Sequence, residues 1–451
     1  MIALHRGTLN HQPCGLGFPF RTRQDRVSSA ARRGKVRSLS RAARNLAKSR
    51  RRPHIIGMLT EAQEARGIAD AEVGRVGVTR LVLTNFRNYR AVRLSLGTGP
   101  VVLTGPNGAG KTNLLEALSF LAPGRGLRGA KLTEIDRRQE ADDAMPSTRG
   151  WAVAATVATR RGALRIGTGR DGTTGDRRIV RLDGEPVRGQ TVLGERLGLV
   201  WLTPSMDRLF LDGPSGRRRF LDRLVLGLDP AHVSRVAAYE QALRERLRLL
   251  RDGPADPVWL VALEEIMAAQ GVAIAAGRRD AVQRLDFVCA QAEGPFPRAR
   301  LTLLGTVEGW LETMPALAAE AKLASALAAN RQNDKQAGST LIGPHRSDLA
   351  CSLAEKGVTA ESASTGEQKA LLISILLAHA GLQLVVRGEP PLLLLDEIAA
   401  HLDPSRRLAL FDRLLQLDGQ AWLTGTDEGP FARLRNAAQF LSVQDGNIFA
   451  L

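Results

Sequence analysis

The feature that most constrains this chain is a glycine-rich loop at residues 103–113, between a strand-like and a helix-like segment. Its sequence is Leu-Thr-Gly-Pro-Asn-Gly-Ala-Gly-Lys-Thr-Asn, which contains the spacing G-x-x-x-x-G-K-[ST]. The apolar run at 101–103 predicts a strand before the loop, and residues 114–121 predict a helix after it. Strand, loop and helix in this order are the context that a phosphate-binding P-loop requires.

The residue types of the loop suit a nucleoside triphosphate. Its glycines let backbone N–H groups curl around phosphates without an obstructing Cβ. Lys111 is predicted to reach the β- and γ-phosphates, and the Thr112 hydroxyl to ligate Mg²⁺. The alternative, a glycine turn that ends in Lys-Thr by chance, is disfavoured by the flanking strand and helix. The predicted ATP-binding residues of the loop are Gly105, Pro106, Asn107, Gly108, Ala109, Gly110, Lys111, Thr112 and Asn113.

A second candidate for chemistry is the leucine run at 392–395, which ends in Asp396 and Glu397. In a P-loop enzyme the first acid holds Mg²⁺, so Asp396 is predicted to do so through water. The second acid, Glu397, is predicted to orient and deprotonate the attacking water. Four leucines followed by two acids are also typical of the end of an ordinary strand, which is the alternative interpretation. Together with the P-loop, they predict a catalytic site formed by Lys111, Asp396 and Glu397.

The segment Ala-Ser-Thr-Gly-Glu-Gln-Lys places Ser364 32 residues before Asp396. It resembles the signature motif of the ABC ATPase superfamily, in the form Ser-x-Gly-Glu. The resemblance implies that Ser364, Gly366 and Glu367, with the N-terminus of the following helix, contact the γ-phosphate held by the P-loop of a second subunit. In isolation the same pattern is also a simple helix cap.

Two further elements of that superfamily have counterparts here. The segment Ala400 to Asp403 stands where the superfamily has its D-loop, which is part of the dimer interface, and this assigns Asp403 to the nucleotide site. Thr424-Gly-Thr426 stands where the switch histidine is expected. Because no histidine is present there, the γ-phosphate sensor is predicted to be Thr424 or Thr426. The sequence shows no recognisable glutamine loop.

The order of predicted elements defines the fold class. Strand-like segments beside the P-loop predict a β-rich lobe, at 80–89, 92–96, 151–158, 163–166 and 178–182. The C-terminal hundred residues return to an α/β pattern, with a helix within 364–386, a strand at 391–396, a helix from Asp403-Pro404 through Leu417, a strand at 420–424 and a hairpin at 440–449 turning at Asp445-Gly446.

The middle of the chain is predicted to be helical. Apolar residues recur at helical spacing before and after a Gly/Pro-rich break at 252–257, which predicts an antiparallel α-hairpin arm. A third helix is predicted at 311–329. The two stripes are Val236, Leu243, Leu247 and Leu250, then Trp259, Leu263, Ile266 and Met267.

Three short motifs recur in order around the P-loop and the arm. They are Asn-Phe-Arg-Asn-Tyr at 85–89, Gly-Pro-Ser-Gly-Arg-Arg-Arg-Phe-Leu-Asp at 213–222, and Gly-Pro-His-Arg-Ser-Asp-Leu at 343–349. From about residue 78 to the end, the chain resembles the RecF family. It departs from that family at Ser347, where Asp is commoner, and within 204–207, where an acid more often follows the proline.

The predicted fold is α/β: a P-loop, ABC-type ATPase head with a β-rich lobe, interrupted by an α-helical arm or lid domain. The 253 residues between Lys111 and Ser364 exceed what a compact transporter subunit needs, and favour the chromosome-maintenance and recombination branch. The predicted parts are a basic extension (1–75), the N-terminal part of the head (76–210), the arm (211–342) and the C-terminal part of the head (343–451).

The net charge is concentrated at the N-terminus. Residues 1–57 hold 14 Lys and Arg against one acid, Asp25, and account for +13 of the total of +17. The segment is predicted to be disordered, because it has too little apolar periodicity to bury surface. It is a nucleic-acid-binding arm, a transit peptide, or sequence upstream of a true start at Met58. The remaining +4 does not by itself argue for DNA binding.

The composition predicts a cytoplasmic protein with no membrane span. Cys14, Cys289 and Cys351 are isolated, which fits neither a disulfide framework nor a zinc site. The most membrane-like stretch, 370–386, is short and contains Ser, His and Gln, so a buried helix is predicted instead.

The resemblance implies an ATPase that dimerises on ATP, binds single- and double-stranded gapped DNA, and works with RecR and RecO to load RecA. Hydrolysis is expected to be slow and DNA-stimulated. Arg217, Arg218 and Arg219 are candidates for DNA contact, or else form ion pairs within the protein. Two alternatives stay open at this point: a transporter's nucleotide-binding subunit, and a non-catalytic scaffold for RecR.

Overall fold

The strand before the phosphate loop lies in a six-stranded sheet, here called the head sheet. The computed structural model describes residues 74–137, 150–172, 177–253, 256–400 and 402–451. Four strands of the head sheet are buried along their whole length, as a parallel sheet covered on both faces requires. The spatial order is β15 (Asn447–Ala450), β14 (Gln439–Gln444), β3 (Val101–Thr104), β13 (Ala421–Thr424), β12 (Leu392–Leu395) and β8 (Leu199–Leu202).

All neighbours in the head sheet are parallel except β14 and β15. These two form the predicted C-terminal hairpin, and both turn residues, Asp445 and Gly446, have positive φ. The strands predicted at 391–396 and 420–424 are likewise confirmed as β12 and β13.

The predicted β-rich lobe is a second six-stranded sheet, wholly antiparallel, here called the lobe sheet. Its aromatic core brings Trp151 against Phe86 and Phe120, with ring centroids 5.5 and 4.9 Å apart. In spatial order the strands are β2 (Tyr89–Ser95), β1 (Gly77–Phe86), β4 (Gly150–Thr159), β5 (Gly162–Asp171), β6 (Arg178–Leu182) and β7 (Glu185–Pro186).

Helices cover the head sheet and form the middle of the chain. A small sheet of β9 (Ala299–Leu304), β10 (Asp348–Leu353) and β11 (Val358–Thr359) lies among them. The α-helices are α1 (Lys111–Ser119), α2 (Thr191–Arg196), α3 (Pro214–Leu228), α4 (His232–Arg251), α5 (Pro257–Ala290), α6 (Thr306–Thr313), α7 (Ala316–Ala329), α8 (Arg331–Ala337), α9 (Thr365–Arg387) and α10 (Pro404–Gln416).

The head sheet separates two hydrophobic cores. Successive side chains of a strand point to opposite faces, so Leu392 and Leu394 pack with α1 and the lobe sheet. Leu393 and Leu395 instead pack with α3, α9, α10 and the C-terminal half of α5. The uninterrupted leucine run of β12 therefore serves both cores at once.

The predicted α-hairpin is present as α4 and α5, which share a third core with α7. Of the second predicted stripe, Leu263 and Met267 are buried, whereas Trp259 and Ile266 are exposed. The prediction of a single helix at 311–329 is wrong in detail, because this stretch contains the end of α6 and the whole of α7. The stretch is interrupted at Met314, which has an extended backbone, and the following proline cannot continue a helix.

A buried ionic network that the sequence analysis did not anticipate joins the helices of this region. The Arg246 side chain is fully buried and donates to Glu264 at 2.9 Å and to Asp334 at 2.7 Å. It also donates to the Leu327 carbonyl at 2.7 Å. A buried charge requires such partners, because water cannot solvate it.

Several sequence predictions fall wholly or partly outside the described residues. The basic extension does so apart from Gly74 and Arg75, and His401 of the D-loop segment does so as well. In the described part of the chain, Cys289 and Cys351 are free and buried. Two helices, Pro257–Ala290 and Thr365–Arg387, are long and apolar enough to cross a membrane. Half or more of each apolar window is buried in the protein, as in a core helix, so the two helices are only weak evidence that the chain spans a membrane.

We expect Arg246→Met to lower the free energy of unfolding by about 3–5 kcal/mol, because it leaves the buried Asp334 carboxylate without its cation and Glu264 with Arg331 alone. Urea-induced unfolding measures this change. The matched control is Arg244→Met, which removes an exposed arginine of the same helix and should cost less than about 0.5 kcal/mol. Equal stability of the two variants would show that the network contributes no net stability.

Candidate active site

Three neighbouring strands of the head sheet end at the same edge. Because β3, β13 and β12 are parallel and adjacent, their carboxyl ends lie side by side. The phosphate loop follows β3, Thr424 ends β13, and Asp396 follows β12. The sequence-predicted Lys111, Thr112, Asp396 and Glu397 are thus brought together.

The phosphate loop needs its glycines for different reasons. Gly105, Gly108 and Gly110 have φ values of 140°, 86° and 116°, which side chains with a Cβ rarely adopt. A Cβ at Gly105 would lie 2.2 Å from the Val443 carbonyl oxygen, so the close packing of β14 excludes one. A Cβ at Gly108 would meet nothing within 4 Å, so this exposed part of the loop is open to a ligand.

The first motif of the family supports the loop from the lobe sheet. Tyr89 Oη donates to the Gly110 carbonyl at 2.9 Å, and Asn88 Nδ2 donates to the Ala109 carbonyl at 3.2 Å. Asn113 Nδ2 in turn donates to Asn88 Oδ1 at 2.8 Å. Sequence reasoning missed this role of Tyr89 and Asn88. The only sequence signal for this role was that the motif at 85–89 lies shortly before the P-loop in the chain.

The Lys111 ammonium is folded back onto its own loop. Its Nζ donates to the carbonyl oxygens of Gly105 at 2.6 Å and Pro106 at 2.9 Å. Burial lowers the pKa of Lys111, and the nearby carboxylates of Glu397 and Asp396 oppose that shift. The Lys111 side chain therefore lies against the Gly105–Pro106 part of the loop.

Asp396 is the buried centre of the site. It accepts hydrogen bonds from the Thr112 hydroxyl at 3.1 Å and from the Thr424 hydroxyl at 2.8 Å. Burial raises the pKa of Asp396, and these two hydrogen bonds oppose the shift. The adjacent hydroxyl and carboxylate oxygens of Thr112 and Asp396 fit Mg²⁺, which binds one or two carboxylates together with phosphates rather than an all-protein cage.

Glu397 has an unusual backbone. Its φ is 51°, in the left-handed region that non-glycine residues rarely occupy. Its N–H donates to the Thr424 hydroxyl at 2.8 Å, so Thr424 contacts both acids of the pair. The other candidate sensor, Thr426, is exposed, and its hydroxyl donates to Asp427.

The signature residues form the N-terminus of α9. Ser364 and Glu367 make a capping box, in which Glu367 Oε2 accepts from the Ser364 N–H at 2.9 Å. Glu367 also pairs with Lys356, and these hydrogen bonds lower the pKa of Glu367 to about 2. Ser364 and Gly366 are exposed. Among the described residues, no hydrogen bond or ion pair joins Ser364 or Glu367 to the phosphate loop of the same chain.

Asp403 likewise caps a helix, and in the described part of the chain no hydrogen bond or ion pair joins it to the phosphate loop. Its carboxylate accepts from the Arg406 N–H at 3.0 Å, at the start of α10. Hydrogen bonds from Ser405 and the Arg406 backbone lower the pKa of Asp403. Its segment is exposed at Ala400 and Asp403. The structure therefore separates the predicted nucleotide residues into two sets on one chain.

The arginine triplet is divided by its surroundings. Arg217 is buried and makes a two-point pair with Asp348, with both distances 2.8 Å. Arg218 is half-buried and donates to the Ser347 carbonyl at 2.8 Å. The second and third motifs of the family therefore join each other, and Arg217 is not available to DNA. Arg219 is exposed.

The phosphate loop, the paired acids and the separate signature helix define a P-loop ATPase head of the ABC type. A family model described as an AAA domain matches residues 80–145. DNA replication and repair protein RecF from Rhizobium etli (strain CIAT 652) is 47% identical over 378 residues, which cover 83% of this chain and 99% of that protein. The RecF protein of Mesorhizobium japonicum is 48% identical over 374 residues, covering 82% and 97%. The chain belongs to the RecF family of DNA replication and repair proteins.

Solved structures agree on the fold. Those described as the recombination mediator protein RecF-ATPrS and RecF-ATP have TM-scores of 0.72 and 0.70 to this chain, each at 22% identity. They cover 85% and 84% of this chain, and 100% and 99% of their own. The family assignment replaces the alternative of a transporter subunit.

We expect Thr424→Val to lower the free energy of unfolding by about 1–3 kcal/mol, because the Glu397 N–H loses its acceptor and Asp396 loses a donor. Thr426→Val, which removes an exposed hydroxyl two residues away, is the matched control and should change stability by less than about 0.5 kcal/mol. Thermal and urea unfolding measure both. A Thr424→Val protein as stable as the control would contradict the bridging role.

Proposed function

We propose that this protein is an ATP-dependent DNA-binding protein of recombinational repair and replication restart, in which two copies enclose ATP. The names of its relatives support the DNA role. The single observation that carries the mechanism is that Ser364 is exposed and, among the described residues, makes its side-chain hydrogen bonds within its own capping box rather than with the phosphate loop. The phosphate-loop residues and the signature residues are therefore two sets. Each set is half of a site, and a second copy supplies the complement.

The residues of the first half would divide the chemistry among them. The loop N–H groups and Lys111 would bind the triphosphate, and Thr112 and Asp396 would hold Mg²⁺. Bound Mg²⁺ would supply positive charge that neutralises the phosphates. A Glu397 carboxylate oxygen would accept the proton of the attacking water. Two observations support this role: Glu397 directly follows Asp396, and its charge acts on Lys111.

The second half would come from the other copy. The exposed N–H groups at the start of α9 and the Ser364 hydroxyl would donate to the γ-phosphate, and the helix dipole would favour the same negative charge. Asp403 would lie in the same interface. ATP would then hold the two copies together by binding only the closed dimer tightly, and hydrolysis would release them.

We further propose a head of 76–210 and 343–451 with a helical arm of 211–342. Gapped DNA, both single- and double-stranded, would bind mainly through its phosphates, and Arg219 is an exposed candidate for contact. RecR and RecO would be its partners in loading RecA. The protein would act in the cytoplasm, and its hydrolysis would be slow and stimulated by DNA.

We expect Glu397→Gln to accumulate an ATP-bound dimer, because ATP binds but the base that activates water is missing. Size-exclusion chromatography with light scattering in saturating ATP and Mg²⁺ measures the mass. Glu312→Gln, which changes an exposed acid on α6, is the control and should behave as wild type. If Glu397→Gln stays monomeric in saturating ATP, the composite site is wrong.

We expect Lys111→Ala to abolish the gain in DNA affinity that ATP gives, because the loop loses its phosphate-binding cation. Fluorescence anisotropy with a gapped duplex, at one fixed salt concentration, measures affinity with ATP, ADP and no nucleotide. The exposed Lys335→Ala variant is the control. A Lys111→Ala protein that retains the ATP-dependent gain contradicts the proposal, and turnover measured in parallel distinguishes an ATPase from a scaffold.

A further inference from the structure

A buried lysine lies between the signature helix and the catalytic strand end, and the site described above does not use it. Lys369 is five residues after Ser364 on α9, and its side chain is 5% exposed. Its Nζ lies 3.6 Å from Asp207 Oδ2 and 3.5 Å from the backbone oxygen of Glu397. Among the described residues these two groups are its polar partners. A charged amine so deeply buried is held by its partners rather than by water.

The first partner, Asp207, lies just after β8, the strand that pairs with β12. Asp207 is in the 3₁₀ turn Pro204–Arg208, which directly follows β8. The Asp207 Oδ1 atom is buried and has no hydrogen-bond partner in the described part of the chain. The other carboxylate oxygen, Oδ2, faces the Lys369 ammonium.

The second partner is the strained residue of the site. The Glu397 backbone is contacted on both sides, since its N–H donates to Thr424 and its carbonyl oxygen accepts from Lys369. The Ala400 N–H donates to the same oxygen at 3.4 Å. A non-glycine residue in the left-handed region persists only where its surroundings hold it. The backbone orientation of Glu397 thus depends on these few contacts.

We infer that Lys369 is a positioning residue for Glu397 and couples the signature helix to the carboxylate that activates water. The inference rests on the proposed function. Lys369 is two helical turns or fewer from Ser364, on one continuous helix. A shift of the α9 N-terminus toward a partner's phosphate moves the Lys369 ammonium relative to the Glu397 carbonyl. One copy's contact with its partner's nucleotide is thereby transmitted to its own catalytic base.

The first test separates positioning from binding. Lys369→Met should lower kcat for ATP by about 10–100-fold, the range expected for a misplaced catalytic group, with KM changed less than about threefold. ATP-induced dimerisation should be retained. Lys369→Arg keeps the charge and should restore part of kcat. Lys335→Met, an exposed lysine of α8, is the matched control and should match wild type.

The second test asks whether Lys369 acts through Glu397. In a Glu397→Gln background, Lys369→Met should lower the residual single-turnover rate by less than about twofold, because the group it positions is already lost. An equal loss in both backgrounds, or an unchanged kcat in Lys369→Met alone, would overturn the inference. If Lys369→Met does not fold, Asp207→Asn replaces it, with a kcat loss of about threefold or more expected and no loss overturning the inference.

These outcomes distinguish the inference from the function on which it rests. If Glu397→Gln hydrolyses ATP as fast as wild type, the proposed base is wrong, whatever Lys369 does. If Glu397→Gln is inactive while Lys369→Met is fully active, the proposed function stands and only the coupling fails.

Discussion

One buried carboxylate organises the functional edge of this molecule. Asp396 accepts hydrogen bonds from Thr112 and Thr424, which join the ends of three adjacent strands at one point. Thr112 and Asp396 are 284 residues apart in the chain, so this contact joins two distant parts of the sequence. The parallel pairing of β3, β13 and β12 makes it possible, because only then do the carboxyl ends of all three strands lie together. Moving any of these strands would separate the phosphate loop from the acids.

Arginine–carboxylate pairs join the helices in the middle of the chain to one another and to strand β10. Arg217 on α3 pairs with Asp348 on β10, and Arg278 on α5 pairs with Asp222 on α3. Arg246 does the same within the helices. Each pair is directional and largely desolvated, so it specifies one arrangement where apolar packing alone tolerates several. This explains why the second and third motifs of the family contain arginines and acids although they lie away from the phosphate loop.

The two halves of the proposed nucleotide site differ in how complete they are. The phosphate loop, the acids and their supports already contact one another in a single chain, whereas the side chains of Ser364 and Asp403, within the described residues, hydrogen-bond to their own helix ends. The capping box stabilises the start of α9, and Ser364 there is exposed. Both properties suit a surface that binds a second molecule. Lys369 connects the two halves within one chain, since it lies on the signature helix and its Nζ contacts the backbone oxygen of Glu397.

Local sequence was sufficient for the P-loop, the lobe strands, the α-hairpin and the paired acids, because each depends on a few consecutive residues with characteristic glycines, alternation or helical spacing. It also selected Thr424, although not its contacts with both acids. It could not predict Tyr89 under the phosphate loop, the burial of Arg217, the network of Arg246 or the position of Lys369. Those roles depend on partners that are distant in the sequence, for example 18 residues away for Arg246 and Glu264 and 131 residues away for Arg217 and Asp348. Whether a lysine or arginine faces water or a buried carboxylate is decided by desolvation, and only the packed tertiary structure determines which charges lose their water.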